Sequence, residues 1–189
     1  MRIIGGQFKG RKILEPIDKS TRPLKDLVRE SIFNIIEHSK IINIKLKNTN
    51  VIDLYSGIGS FGLECLSRGA KKVYFFEKYN PSLKILKKNI EILKCNNKCE
   101  IIDDNVEKIE EFSQILNDQF NLIFLDPPFL YQNINMILNK VWKMKILTKD
   151  CCIIIHRNKK NKEKFTDKIE ILRSEVYGVS KIFFASMKF

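Results

Sequence analysis

The amino-acid sequence predicts an α/β protein built on a mostly parallel sheet of seven strands, with an antiparallel last strand and helices on both faces. From Asn50 onward, short apolar runs alternate with helical segments, an arrangement typical of parallel sheets. The last two runs are separated by a few residues around Gly178, too few for a helix, so they should pair as antiparallel neighbours. Hydrophobic residues make up 44% of the chain, which is enough to form a buried core.

Each predicted strand is a short apolar run bounded by polar or turn-forming residues. In chain order the runs are Val51–Leu54, Val73–Glu77, Glu100–Asp103, Leu122–Asp126, Cys151–His156, Ile171–Val176 and Lys181–Met187. The helices between the first five are expected near Ser60–Arg68, Pro81–Lys94, Asn105–Gln114 and Ile134–Lys143. Asn80 before Pro81 suits a helix cap followed by the first helical residue.

The chain is predicted to divide into a small N-terminal extension, residues 1–48, and a main domain, residues 49–189. In the extension, Met1–Ile4 and Arg11–Leu14 can pair as a hairpin around three glycines. Apolar residues between Leu24 and Ile36 then recur at spacings of three and four, which predicts one amphipathic helix. We expect this hairpin-plus-helix extension to cover the functional site of the main domain.

Charge favours a nucleic-acid partner. The chain carries 34 Lys and Arg residues against 22 Asp and Glu residues, a net charge of +12. Binding phosphates releases their counterions, although a Lys-rich proteome produces the same composition. Lys9, Arg11 and Lys12 are candidate phosphate contacts. The run from Lys159 to Lys164 either has the same role or is only a solvated surface.

The cysteines and the apolar runs indicate a cytoplasmic protein. The five cysteines lack the spacing of a metal-binding set, so we expect reduced thiols and no metal site. Reduced thiols are typical of a reducing compartment. No apolar run is long enough to cross a bilayer, and the first residues lack the apolar core of a secretion signal. A monomer is the simplest expectation.

The first candidate site is the segment V-I-D-L-Y-S-G-I-G-S-F-G-L-E. Gly57, Gly59 and Gly62 have the G-x-G-x-x-G spacing of a dinucleotide site. Asp53 argues against a dinucleotide, because a carboxylate at the strand end opposes a pyrophosphate. The same carboxylate suits S-adenosylmethionine, which carries an ammonium and a sulfonium and no phosphate. An NAD-linked oxidoreductase remains the alternative from another class of enzyme.

Further residues extend this candidate cofactor site. Glu77 closes the next strand and is placed to accept the ribose hydroxyls. After the third strand, the Asn105 side chain and the backbone N–H of Val106 could pair with the adenine edge. The complete predicted cofactor-binding set is Asp53, Tyr55, Gly57, Glu77, Asn105, Val106 and Asp126, together with Gly59.

The second candidate site is D-P-P-F at Asp126, Pro127, Pro128 and Phe129. Two prolines stiffen the chain as it leaves the fourth strand, which fixes the Asp126 carboxylate and the Pro127 carbonyl as a pair of acceptors. An aromatic amine is a poor nucleophile because its lone pair is delocalised into the ring. Two acceptors that hold its hydrogens would aim the lone pair at a methyl carbon, with Phe129 stacked on the base.

In this order, the two sites resemble those of the class I methyltransferase fold, a Rossmann-like fold, and of its amino-methylating branch. A narrower resemblance, to the RsmD family, covers nearly the whole chain. The blocks that carry it are M-R-I-I-G-G-Q-F-K-G-R-K at the start, T-R-P at Thr21–Pro23, D-L-V-R-E-S-I-F-N at Asp26–Asn34, G-L-E-C-L-S-R-G-A at Gly62–Ala70 and F-L-D-P-P-F at Phe124–Phe129. The N-terminal blocks discriminate best, because the glycine turn and D-P-P-F occur in many methyltransferases.

The resemblance implies transfer of a methyl group from S-adenosylmethionine to N2 of a guanine in 16S ribosomal RNA of the small subunit. It also implies RNA-binding roles for Arg22, over the mouth of the site, and for Arg29. The chain departs from the family at Leu24, Lys25 and Leu27 and has His156 where glutamate is common. An adenine-N6 methyltransferase of DNA or RNA, which would use the same D-P-P-F chemistry, and a catalytically idle RNA-binding protein remain alternatives.

Overall fold

The computed structural model describes residues 1–16, 24–42, 44–113, 116 and 118–188. The strands are β1 (Asn50–Leu54), β2 (Lys72–Phe76), β3 (Cys99–Ile102), β4 (Phe120–Leu125), β5 (Leu147–Asn158), β6 (Ile169–Tyr177) and β7 (Ser180–Met187). The helices are α1 (Asp26–His38), α2 (Ser60–Ser67), α3 (Asn80–Leu93) and α4 (Ile134–Met144). Short 3₁₀ helices cover Gly6–Phe8, Asn96–Lys98 and Val106–Phe112.

One seven-stranded sheet in the order β3-β2-β1-β4-β5-β7-β6 forms the centre of the molecule. Strands β1 to β5 run parallel, whereas β7 lies between β5 and β6 and is antiparallel to both. The predicted mixed sheet with a closing antiparallel pair is therefore confirmed. The carboxyl ends of the parallel strands meet at one edge, where ligands bind in open α/β sheets.

Two apolar cores cover the two faces of the sheet. The first contains the inward side chains of α1, α2 and α3, including Phe33, Phe61 and Leu86. The second contains those of α4 and the 3₁₀ helix after β3, including Ile137 and Ile109. Alternate side chains of each strand enter opposite cores, because successive strand residues point to opposite faces. Helices on both faces are as the sequence predicts.

The N-terminal hairpin forms and is anchored by a buried carboxylate. The Ile3 N–H donates to the Arg11 carbonyl at 3.0 Å, and the Ile13 N–H donates to the Met1 carbonyl at 3.1 Å. Glu64 of α2, fully buried, accepts the backbone N–H groups of Ile4 and Gly5 at 2.8 and 2.7 Å. Ile3 and Ile13 belong to the first core, so the extension shares that core with the sheet.

Two local predictions are wrong. The segment expected as a helix from Asn105 is a short 3₁₀ helix, and Lys108 inside it has a non-helical backbone. Helix α3 begins at Asn80 rather than Pro81, its cap position is Tyr79, and no side chain caps it. Proline still falls in the first turn, where its missing N–H costs nothing.

Within the described ranges, no helix is both long enough and apolar enough to cross a bilayer. The same residues contain no cluster of three potential metal ligands. All five cysteines are free thiols, with the Cys95 and Cys99 sulfurs 3.9 Å apart.

Candidate active site

A cavity of about 530 Å³ opens at the carboxyl ends of the parallel strands. Residues from both candidate sites line it: Asp53, Tyr55, Gly57, Glu77, Asn105, Val106, Asp126, Pro127, Pro128 and Phe129. Four strands bring these residues together, because each residue lies at or just beyond the end of β1, β2, β3 or β4. The glycine turn and the D-P-P-F loop therefore face one space.

Asp53 is the most buried acid of the cavity, with 1% of its surface exposed. Its Oδ2 accepts the Gly62 N–H at 3.0 Å, whereas its Oδ1 is buried and has no partner within the described part of the chain. Burial raises the pKa of this carboxyl well above its usual range; the hydrogen bond from Gly62 offsets part of the shift, and the charges of Asp126 and Glu77 add to it. The site thus holds an acceptor suited to a cation.

Glu77 ties the glycine turn to the segment after β2. Its Oε2 accepts the Gly57 N–H and its Oε1 accepts the Tyr79 N–H, both at 2.7 Å. Each carboxylate oxygen can accept a second hydrogen bond. Two adjacent hydroxyl groups of a ligand could therefore still be bound by this fixed side chain.

Gly59 has a packing role that the sequence pattern did not reveal. Its φ is +81°, and a Cβ atom there would lie 2.4 Å from Cδ1 of Leu86 on α3. Gly59 is not among the described residues that line the cavity, so the structure gives it no direct contact with a ligand there. Gly57 (φ +56°) and Tyr55 (φ +61°) do line it, and both use the left-handed backbone region of a tight turn.

Asn105 is partly committed to the local fold. Its side-chain oxygen accepts the Glu107 N–H at 3.2 Å and so caps the 3₁₀ helix. The side-chain amide and the backbone after it remain at the cavity wall, where Val106 is 2% exposed. The Asn105 side-chain NH₂ and the Val106 N–H could donate hydrogen bonds to an adenine edge. The Asn105 side-chain oxygen already accepts one from Glu107.

The D-P-P-F loop is held by its neighbours on three sides. The Asp126 N–H donates to the Leu54 carbonyl at 3.3 Å, which joins the loop to the end of β1. Oδ1 of Asp126 lies 2.7 Å from Nδ1 of His156. The Phe129 ring meets the His156 ring edge-on, with centroids 5.3 Å apart. The loop is thereby fixed at the cavity wall.

His156 and Ser180 are cavity residues whose roles the sequence did not predict. The sequence marked His156 only as a departure from the family and gave no signal for Ser180. They meet because β7 inserts beside β5, which places Oγ of Ser180 2.8 Å from Nε2 of His156. His156 lies 30 residues beyond Asp126 in the sequence, and Ser180 lies a further 24 residues on, so only the strand order reveals that the three side chains meet.

The candidate RNA-binding residues have three different outcomes. Lys9 and Arg11 are exposed, and Arg11 also donates to the Leu93 carbonyl at 3.3 Å, at the end of α3 remote from the cavity. The expectation for Arg29 is wrong, because its side chain is fully buried and bonded to the Arg2 carbonyl and to Asp26. Arg22 lies outside the described residues.

Arg29 stabilises the fold instead. Its Nε lies 3.9 Å from Oε2 of Glu64, the acid that holds the N-terminal hairpin. Burial lowers the pKa of Arg29, while the charges of Glu64 and Asp26 oppose that effect. The arginine thus contributes to the anchor of the extension and has no surface that RNA could reach.

Comparison with known proteins now adds to this geometry. The profile of a protein family described as "Conserved hypothetical protein 95" matches residues 1–186. A Haemophilus influenzae relative, "Ribosomal RNA small subunit methyltransferase D", is 34% identical over 75% of this chain and 72% of its own length. The chain belongs to the RsmD family.

Solved structures agree on the fold of this RsmD-family protein. The Escherichia coli protein yhhF superposes with a TM-score of 0.80 at 25% identity, covering 100% of this chain and 98% of that one. SMU.776, solved in complex with SAH, has a TM-score of 0.58 at 15% identity, and the match covers 82% of this chain and 49% of that one. The class I methyltransferase fold is confirmed, and an enzyme of the oxidoreductase class is not supported.

Proposed function

We propose that this chain transfers a methyl group from S-adenosylmethionine to the N2 amine of a guanine in small-subunit ribosomal RNA. One observation carries the proposal: the Asp126 loop and the Gly57 turn open on the same cavity of about 530 Å³. A methyl donor held at the turn can therefore meet an amine held at the loop. Membership of the RsmD family supports ribosomal RNA as the substrate class.

The cavity suits the proposed cofactor. Oδ1 of Asp53, which has no partner among the residues that the structure describes, is buried beside the glycine turn and needs a donor or a positive charge to offset the cost of its burial. Glu77 retains capacity to accept the two ribose hydroxyls, and the segment at Asn105 and Val106 faces the space left for a flat base. When bound, S-adenosylmethionine supplies an electrophilic methyl carbon on a positively charged sulfur.

The loop residues prepare the amine. Of the two proline carbonyls, that of Pro128 accepts Nη1 of Arg157 at 3.3 Å, and no donor to that of Pro127 is found within the described ranges. Pro127 and Asp126 can therefore grip the two amine hydrogens, which turns the nitrogen lone pair away from the base plane. As the N–C bond forms, the S–C bond breaks and its electron pair stays on sulfur. The surplus amine proton then passes to Asp126 or to water.

Phe129 supplies the flat surface for the target base. Its ring is half-buried at the cavity wall, and its edge-on contact with His156 keeps it in place. A base taken out of its stack would lie on this ring, at a gain of about 1–3 kcal/mol. The exposed basic residues Lys9 and Arg11 would contact phosphates at a distance from the cavity.

The proposal is tested by incubating the protein with methyl-labelled S-adenosylmethionine and, in parallel, small ribosomal subunits, naked 16S RNA and double-stranded DNA. Digestion to nucleosides and chromatography should place the label on N2-methylguanosine from the ribosomal samples. Label on N6-methyladenosine would favour the adenine-modifying alternative. Absence of transfer despite cofactor binding would support the catalytically idle alternative.

A further inference from the structure

His156 connects the D-P-P-F loop to the far half of the sheet. It lies in β5, is 7% exposed, and lines the cavity. Its Nδ1 is 2.7 Å from Oδ1 of Asp126, and its Nε2 is 2.8 Å from Oγ of Ser180 in β7. Both ring nitrogens are therefore engaged, one with the loop acid and one with the sheet.

The chemistry of the partners fixes which nitrogen carries a proton. An ionised carboxylate only accepts hydrogen bonds, so the short contact with Asp126 requires a proton on Nδ1 of His156. A serine hydroxyl can donate or accept, so Ser180 can supply the proton of the second contact. The ring is then oriented from one side by the sheet and donates from the other to Asp126.

The position of Ser180 is itself determined by strand pairing. Ser180 is the first residue of β7 and pairs with Asn158, two residues beyond His156. The neighbouring Lys159 N–H donates to the Val179 carbonyl at 2.8 Å, which closes this end of the strand pair. The support for the His156 ring is therefore part of the rigid sheet rather than of a loop.

The same end of β5 holds the rest of the D-P-P-F loop. Arg157, 2% exposed, donates to the Pro128 and Tyr131 carbonyls. Asn161, in the turn after β5, donates to the Phe129 carbonyl at 3.0 Å. Three backbone carbonyls in and just after the loop are thus fixed from one segment, and the carboxylate of Asp126 is fixed by the adjacent histidine.

Without such a contact the carboxylate would be poorly oriented. Rotation of an aspartate carboxylate about its last bond has a broad energy profile. A hydrogen bond to Oδ1 of Asp126 removes that freedom and leaves Oδ2 as the oxygen available to a ligand. Among the described residues, no hydrogen bond to Oδ2 is found. The geometry therefore selects which oxygen can meet an amine.

We propose that His156, supported by Ser180, is a positioning residue for methyl transfer, which holds Oδ1 of Asp126 so that Oδ2 and the Pro127 carbonyl face the amine together. This inference rests on the function proposed above. His156 itself touches neither the cofactor nor the amine in this scheme. Its effect is on the alignment of the acceptor pair, where small misplacements cost large factors in rate.

Two substitutions of His156 test its contact with Asp126 and its contact with Ser180 separately. The asparagine amide nitrogen is as many bonds from Cα as Nδ1 of histidine, and the glutamine amide nitrogen as many as Nε2. His156→Asn should keep the donor to Asp126, whereas His156→Gln should keep a contact with Ser180 and lose that donor. We expect kcat to fall by at least about tenfold in His156→Gln and by less than about threefold in His156→Asn.

The control readouts distinguish positioning from folding. Cofactor Kd, RNA KM and Tm should stay close to wild type in His156→Gln, with the exposed His38→Gln as the matched control. Equal kcat in His156→Gln and wild type would overturn the inference. Equal losses in both His156 variants, accompanied by parallel losses in Tm, would also overturn it, since they indicate a structural role.

A spectroscopic measurement tests the hydrogen bond between His156 and Asp126 independently of turnover. The chain has two histidines, so ¹⁵N-histidine labelling gives few imidazole signals, and His38→Gln assigns them. We expect a proton on Nδ1 of His156 whose signal shifts in Asp126→Ala. An unprotonated Nδ1 of His156 would overturn the inference. Failure of the wild-type protein to methylate ribosomal RNA would instead refute the proposed function while this signal persists, so the two failures are distinguishable.

Discussion

Oδ2 of Asp53 accepts the Gly62 N–H at 3.0 Å, while Oδ1 of the same carboxylate is buried and has no partner in the described part of the chain. The hydrogen bond places the acid at the glycine turn, and the second oxygen makes the cofactor-free state costly. A charged group without a partner in a buried position destabilises a fold. The cavity thus gives up some stability at a carboxylate that, in the function proposed above, meets a cationic cofactor.

Asp53→Asn should stabilise the protein in the absence of cofactor and weaken cofactor binding. The amide oxygen can still accept the Gly62 N–H, while the charge that Asp53 carries above its raised pKa is removed, so the effect is measured above that pH. Without cofactor, the Tm of the variant should exceed that of the wild type by at least about 2 °C, which corresponds to ~1 kcal/mol for a chain of this size. Adding S-adenosylmethionine should raise the Tm of the variant by less than it raises the Tm of the wild type. The exposed Asp103→Asn serves as the control in thermal melts. A lower Tm with unchanged cofactor binding would mean that this carboxylate serves only the fold.

Cofactor affinity should depend on pH through Asp53. Because burial raises the pKa of this carboxyl, it keeps its proton at pH values where an ordinary aspartate is ionised. A cation binds the ionised form, so affinity should rise with pH up to the raised pKa and then level off. Without cofactor, the folded state holds the proton more tightly than the unfolded state, so stability should fall over the same rise in pH. Calorimetric titrations at several pH values test this, and Asp53→Asn should abolish the dependence.

Asp126→Ala should lower kcat by more than about 10²-fold with little change in cofactor Kd. The substitution removes one acceptor of the pair that aligns the amine in the transition state. Single-turnover methylation of small subunits measures the rate, and equilibrium binding measures the Kd. Asp150→Ala, at an exposed position of β5, is the matched control. A loss of cofactor affinity as large as the loss of rate would show that Asp126 acts in binding.

Glu64→Gln should lower the free energy of unfolding by about 3 kcal/mol, because it removes the buried carboxylate that pairs with Arg68 and faces the buried Arg29. It also weakens the acceptor for the Ile4 and Gly5 N–H groups. Urea denaturation measures the change. Glu37→Gln removes a partly exposed partner of Arg68 and should cost less than about 1 kcal/mol. Similar costs for the two variants would argue against a buried anchor.

RNA affinity should fall steeply with salt, and part of that dependence should come from Lys9 and Arg11. Each lost phosphate contact lowers the slope of log affinity against log salt by about one. The double variant Lys9→Ala/Arg11→Ala should therefore have a shallower slope than the control Lys84→Ala/Lys87→Ala, which changes exposed lysines of α3. Filter binding over a salt series measures both. Identical slopes would remove the N-terminal hairpin from the RNA-binding surface.

The strands could be predicted from the sequence because each is a separate apolar run. Val51–Leu54 was predicted and Asn50–Leu54 is observed, and the order of strands and helices along the chain is as expected. The position of β7 between β5 and β6 was harder to predict, because the periodicity of apolar residues identifies a strand but does not show which strands pair with it. The 3₁₀ helix after Asn105 was missed because its apolar spacing resembles that of an α-helix.

The acids of the cavity could be predicted because strand ends of a parallel sheet converge at one edge. Asp53, Glu77 and Asp126 all lie at the cavity wall. The burial of Arg29 could not be predicted, because an arginine on an amphipathic helix is usually exposed and its partner Glu64 is 35 residues away on α2. The contact between His156 and Asp126 likewise depends on pairing between distant strands.

The insertion of β7 beside β5 has a consequence for synthesis of the protein. A nascent chain that has not yet extended beyond Val179 has the open edge of β5 and lacks the serine that supports His156. Such an edge is prone to pair with other chains. Truncation before Ser180 should therefore produce an aggregating and inactive product, because the completed sheet is needed to support His156.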